Sequence, residues 1–277
     1  MRFDLRNVEG TKKFLHDWVG VDEISIISYI IDNSEDIDID DFCERYNISL
    51  DDLEIDNITY VASHVTTCLD GLETIKKYGI MDLTSVLSYP TPLNIFLQNH
   101  GIEFDIDKRI MKVGNKSYDV SYNTNSNKSF LDRRSLEGRL NSIGHKLYYD
   151  NQLSAFLTME GDKEYGGNVH LRPEFLLNVS SICKLNLENE WAKRAKAYVL
   201  EFEEKFENFE WFTFYNTKED YNEDVSKMIE HRRWLLSKSL YRLQNYISYN
   251  QRIEDFAYMK PSYIVPWKNI IGIREIV

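Results

Sequence analysis

The chain has 277 residues, 43 % of them apolar, enough for one large domain or for a domain of about 200 residues with a smaller one beside it. Its net charge of −12 argues against indiscriminate nucleic-acid binding, because a wide acidic field repels a phosphate backbone. Cys43, Cys68 and Cys183 are widely spaced and form no CxxC or Cys/His cluster, so neither a disulfide framework nor a metal site is expected.

Taken from its start, the chain shows no apolar signal core in MRFDLRNVEGTKKF, and no apolar run reaches the roughly 18 residues of a membrane span. A cytoplasmic protein without a membrane partner is the expectation. Residues 1–57 read as a helical N-terminal segment, with Phe14, Trp18, Ile24, Ile27, Tyr29 and Ile30 on an apolar stripe. The acidic run DNSEDIDIDD comes next. DFCERYNISLDDL then has the look of a helix–turn–helix, but Asp51, Asp52 and Glu54 would repel DNA, so a structural or protein-partner role is favoured.

ITYVASHVTT (58–67) reads as a strand, followed by a helix over 68–78 with Thr67 and Asp70 as its cap and Gly79 as its terminator. Thr91-Pro92 opens another helix, and Gly114-Asn115 between RIMKV and KSYDV marks a hairpin. Glu103, Asp105 and Asp107 alternate along a strand, as a solvated face does. Lys128, Arg133, Arg134, Arg139 and Lys146 cluster beyond a polar loop and read as a solvated face or a phosphate-holding patch. Strands are expected at 152–159 and 197–202, a strand end and helix start at Arg172-Pro173-Glu174, one long helix over 222–247, and strands at the C-terminus. P-loop, dinucleotide-binding GxGxxG, nucleophile-elbow GxSxG and HExxH motifs are all missing from the sequence.

Three stretches resemble one family. Ser63-His64-Val65-Thr66 closes a strand, and the helix after it ends in Lys77-Tyr78-Gly79-Ile80. Phe156 to Val179 has a strand, an aromatic and a helix. Gln251-Arg252-Ile253-Glu254 precedes Val265-Pro266 and an Ile-rich ending. In this order they resemble the ADP-ribosyltransferases of the His-Tyr-Glu type, which include diphtheria-toxin-like enzymes, tRNA 2′-phosphotransferases and DarT-like toxins. The resemblance covers about residues 58–277. It implies an α+β fold with a split two-sheet core, NAD as substrate, and a macromolecular acceptor, as in a bacterial toxin or phage-defence effector. It also implies roles: His64 and Thr66 in binding NAD, Tyr165 (with Phe156 in reserve) stacking on nicotinamide, and Glu254 as the catalytic carboxylate. The pyrophosphate would need an arginine, with Arg172, Arg133 and Arg134 as candidates. The chemistry suits these residue types, since a fixed carboxylate stabilises the oxocarbenium ion that develops as the nicotinamide bond breaks. His170, beside no evident nucleophile, is the lesser candidate for a general base. Two further readings stand beside the enzyme: a non-catalytic α+β module that recruits a protein through residues 1–57, and a nucleic-acid enzyme using the Arg133–Lys146 patch.

Overall fold

The computed structural model describes residues 1–122, 135–159, 161, 168–251 and 253–277. A short strand β1 (Arg2–Phe3) leads to α1 (Val8–Val19), whose N-cap Asn7 accepts from the Gly10 amide. Gly20, in the left-handed region at φ 74°, ends it. In α2 (Glu23–Asp32) the buried face carries Ile26, Tyr29 and Ile30, so the predicted stripe holds at Tyr29 and Ile30 but not at Ile24, which is 78 % exposed. The acidic run leads into α3 (Ile39–Tyr46): Asp38 caps it by accepting from the amides of Asp40 and Asp41, and those two aspartates occupy its positive first turn. After α3 the chain makes only a 3-10 turn at Leu50–Asp52, so the suspected helix–turn–helix lacks its second helix.

Strand β2 (Thr59–Cys68) is as predicted, but the next helix, α4 (Glu73–Tyr78), begins later than expected. Gly71 and Leu72 both take positive φ, and Asp70 caps the Thr74 amide without Thr67, whose hydroxyl accepts from the Trp191 indole at 2.9 Å. Gly79 ends α4 as predicted, and a Cβ there would lie 2.4 Å from the Val265 carbonyl oxygen. Then come α5 (Leu83–Ser88) and α6 (Pro92–Asn99), the latter capped by Thr91 with Pro92 in its first turn. Strands β3 (Ile102–Asp105), β4 (Ile110–Val113) and β5 (Lys116–Asp119) form an antiparallel meander with its last turn at Gly114-Asn115, and Asp105 is paired with Lys108. Helix α7 (Leu136–Tyr148) and β6 (Ser154–Thr158) come after the meander. The backbone before Arg172 is a turn at Asn168, not a strand end, and α8 (Phe175–Cys183), α9 (Leu187–Ala192) and β7 (Lys196–Glu204) come next.

The long helix expected over 222–247 is two helices, α10 (Lys218–Asp224) and α11 (Ile229–Tyr249). Met228 sits between them at φ 58°, and Asp224 caps α11, with Oδ1 accepting from the Glu230 amide and Oδ2 from the His231 amide. Strands β8 (Asp255–Tyr258) and β9 (Ile270–Ile276) close the chain.

The fold class is α+β. The larger sheet has the order β8-β6-β2-β7-β9, with β1 parallel to β2; β3-β4-β5 make the second. The chain divides into two compact units: Met1–His64, Ser154–Gly161 and Glu201–Met259 in the first, and Val65–Leu153, Asp162–Leu200 and Lys260–Val277 in the second. The first has an aromatic core that includes Phe3, Phe14, Tyr60 and Phe214, all 5 % exposed or less. Its N-terminal helices are knitted to α11, where Tyr241, Gln244 and Tyr249 donate to the carbonyls of Ile37 and Ser34. The second unit is built on Trp191, Phe96, Leu97, Phe175, Leu147 and Ile143.

Candidate functional site

Strand register places two of the expected site residues in the first unit. Ser63 on β2 faces Phe156 on β6, which in turn faces Phe256 on β8. His64 is therefore level with Ala155 and Ala257, and Glu254 stands three positions further along β8, just before its first residue. At about 3.3 Å per residue and about 4.8 Å per strand, the two Cα atoms are roughly 14 Å apart. The geometry puts them on one sheet, on opposite flanks of β6, without direct contact between their backbones.

His64 is half-buried, and its Nδ1 lies 2.9 Å from the Ser154 carbonyl oxygen. A carbonyl only accepts, so Nδ1 carries the proton and Nε2 keeps its lone pair as an acceptor. Burial lowers the His64 pKa, and the bond to Ser154 offsets this only in part, so the ring is neutral near pH 7.

Glu254 owes its position to Thr158. The Thr158 hydroxyl donates to the Ile253 carbonyl at 2.5 Å and accepts from the Asp255 amide at 3.1 Å, clamping the backbone on both sides of Glu254. This clamp falls at the register shift between Phe156 and Thr158, a β-bulge of the kind that re-aims a chain at a strand end. Glu254 is half-buried, with Oε1 out of solvent. Asp255 is ion-paired with Lys238 of α11.

Along α11, Lys238, Arg242 and Tyr246 recur at four-residue spacing and so share one face. Arg242 and Tyr246 join Met159, the residue after the Thr158 clamp, and the Arg6–Glu9 segment in lining a cavity of about 440 Å³. Arg242 is 6 % exposed; its Nε donates to the Leu5 carbonyl at 2.9 Å and its Nη2 points to the Arg6 carbonyl at 3.5 Å. The Arg6 guanidinium is gripped by Asp4 through Nε and Nη2, at 2.8 and 2.7 Å, and by Glu201 through Nη1. Burial alone would lower the Arg6 pKa, but Asp4 and Glu201 outweigh it and raise it. Sequence reasoning missed this pair of arginines. They stand 236 residues apart, and Arg6 lies outside the stretch that carries the family resemblance. The only signal was an arginine, Arg242, set between Leu240 and Leu243 on the buried face of α11.

The remaining expected residues are elsewhere. Thr66 stands on the part of β2 that belongs to the second unit. Arg172, also in the second unit, is 12 % exposed in its side chain and donates from Nε to Glu188 at 2.7 Å, so a carboxylate already neutralises it. Tyr165, Arg133 and Arg134 lie outside the described residues. Phe156, the reserve aromatic, is 7 % exposed and covered by Phe256 at 5.2 Å, while Phe256 itself is 46 % exposed. Within the basic cluster, Arg139 donates to the Ser181 carbonyl and Lys146 pairs with Glu174.

No family model matches the chain, nor does any curated protein or solved structure. Among the described residues, no group of three or more His, Cys, Asp or Glu could hold a metal ion, and no helix is long and apolar enough to cross a membrane.

Another cavity of the first unit, of about 550 Å³, is walled by Asp220, Glu223, Asp224 and Glu230 together with Tyr215 and Trp234. Asp224 already serves there as the cap of α11 and as acceptor for the Tyr215 hydroxyl at 3.0 Å. A second buried cluster lies beside it. The Tyr60 hydroxyl and His231 Nε2 share a hydrogen bond of 2.5 Å within a ring of Phe206, Phe214 and Trp234. Burial lowers the His231 pKa to about 3, so the ring is neutral and aromatic in its packing. At 1 % exposure it is a core histidine.

Proposed function

We propose that this chain transfers ADP-ribose from NAD to a macromolecular acceptor. Glu254 would stabilise the positive charge that develops on the ribose as the nicotinamide bond breaks. His64, neutral with its Nε2 lone pair available, would accept a hydrogen bond from a ribose hydroxyl. The single observation that supports this reading most is the bulge-and-clamp geometry around Thr158. It fixes a half-buried carboxylate at the start of β8, in the sheet that carries His64. The order of motifs along the chain, His early and Glu late, supports it independently. A split ADP-ribosyltransferase core and a role in toxicity or phage defence are parts of the same proposal.

The test is nicotinamide release from NAD by purified protein, with and without cell extract. Wild type is expected to release nicotinamide. Glu254→Gln is expected to lose about 100-fold or more in turnover while NAD affinity changes little, the pattern of a group that acts only in the transition state. Equal turnover by wild type and Glu254→Gln, or no release by either, would sink the reading.

Recruitment of a protein through the N-terminal segment draws less support. Phe14, Trp18, Ile26, Tyr29 and Ile30 are buried inside the first unit and so are not presented to a partner. The nucleic-acid reading is weakened because Arg139 and Lys146, its described basic members, are engaged internally.

A further inference from the structure

We propose that the outer face of α2 docks a basic amphipathic helix of a partner protein. The face belongs to the first unit, and the proposal goes beyond the transferase reading without resting on it.

A helix that is apolar on every side is ordinarily enclosed by packing. α2 has the sequence EISIISYIID, five isoleucines and a tyrosine in ten residues. At about 100° per residue, Ile26, Tyr29 and Ile30 make one face and Ile24, Ile27 and Ile31 another. The first face is buried: Tyr29 meets Phe42 of α3 edge-on at 4.9 Å, and α1 and α11 pack against the same helix. The second face is open, with Ile24 78 % exposed, Ile31 57 % exposed and Ile27 half-buried between them. One apolar residue at a surface needs no explanation. Three isoleucines at i, i+3 and i+7 are different, because that is the anchor spacing by which one helix lies along another. The side chains that α2 turns into the core are lost to a partner, and this second face is what remains.

Charge decides what covers it. Residues 20–42 contain eight Asp and Glu and no Lys or Arg. On the helical wheel the isoleucine stripe is bordered by Glu23 on one side and by Asp32 on the other. Lys12 reaches Glu23 at 3.4 Å, but it also serves Glu9 at 2.8 Å; Arg45 reaches Asp32 at 3.6 Å. Asp22 before the stripe, and Glu35 and Asp36 beyond it, are exposed. Among the described residues no Lys or Arg is ion-paired with these three. A second copy of this chain would set the acidic border against itself, and like-charge contact across an interface is unfavourable. A helix with an apolar stripe and lysine or arginine along its borders complements both features.

The test is fluorescence anisotropy of labelled helical peptides titrated with the full chain. The probe has about 14 residues, with leucine at i, i+3, i+4 and i+7 and lysine elsewhere. One control peptide replaces the lysines by glutamate and the other replaces the leucines by serine. Wild type is expected to bind the leucine–lysine peptide, and each control about tenfold or more weakly. The deciding variant is Ile24→Gln with Ile31→Gln. Both side chains are exposed, so the melting temperature should hold while affinity falls about tenfold or more. Ile273→Gln removes an exposed isoleucine of β9 at the same net charge and should leave binding unchanged. Glu35→Lys with Asp36→Lys should weaken binding several-fold. No binding by wild type at about millimolar concentration, equal binding by wild type and the double glutamine variant, or equal binding of the glutamate peptide overturns the proposal. So does a wild-type dimer in light scattering that the double glutamine variant abolishes, which gives the face to a second copy. Sedimentation with phosphatidylcholine vesicles that the same variant abolishes gives it to lipid and also overturns the proposal.

Discussion

His231 shows how much one buried side chain can decide. Tyr60, whose own pKa is raised by burial, keeps its proton and shares a hydrogen bond with Nε2. Burial holds the ring neutral, with Trp234 stacked at 6.0 Å. The folded pKa, about 3, is far below the ordinary histidine value near 6.5. The unfolded chain therefore takes up a proton below about pH 6.5 that the folded chain refuses, and stability falls as pH falls through that window. Each pH unit between about 6 and 3 costs up to about 1.4 kcal/mol from this group. His64, also lowered by burial, acts in the same direction. Urea unfolding at pH 7 and pH 5 should differ by about 2 kcal/mol in wild type and by clearly less in His231→Phe. If the two proteins show the same pH dependence, His231 is not its source. Glu254 belongs to this scale as well. The sequence supplied the carboxylate, but nothing in it foretold the Thr158 clamp, whose two hydrogen bonds join residues 95 and 97 positions apart.

Among the elements, the break between α10 and α11 is the most informative. Apolar periodicity runs on through 222–247, because periodicity reports which residues face a core and not whether the backbone between them is continuous. The break is made by Asp224, which accepts from two α11 amides and from Tyr215. Asp224→Ala leaves these donors without their carboxylate and should cost about 2–3 kcal/mol, read as a lower urea midpoint. A change under about 0.5 kcal/mol would show that Met228 turns the chain without help from Asp224. Elements set by local chemistry were legible: Gly79 after α4, Thr91-Pro92 before α6 and Gly114-Asn115 in the hairpin all act within four residues of themselves. The late start of α4 was not, because the Thr67 hydroxyl expected to cap it is taken by Trp191, 124 residues away.

At the scale of the whole molecule, the two units have separate cores. Trp191 anchors the second, 1 % exposed, with Phe96 edge-on at 5.3 Å and its indole donating to Thr67. Trp191→Ala should destabilise by about 3–5 kcal/mol, from the cavity left and from the lost bond. Because Phe96, Phe175 and Leu147 share that core, hydrogen exchange should quicken first in α6, α7 and α8, with less change in α1 and α2. Uniform quickening through both units would mean that they unfold as one.

By itself the sequence determined the α+β class, most of the strands, the helical start of the chain and the local caps and turns. These depend on apolar spacing and on residues within a turn of one another, which a single chain displays directly. Only the tertiary structure decided that α10 and α11 are separate, that Arg172 is neutralised by Glu188, and that Arg6 and Arg242 meet around one cavity. It also set the distance between His64 and Glu254 and the clamp that holds the latter. Each of these is fixed by strand register or by partners many residues apart, and neither composition nor periodicity records which distant residues the packing brings together.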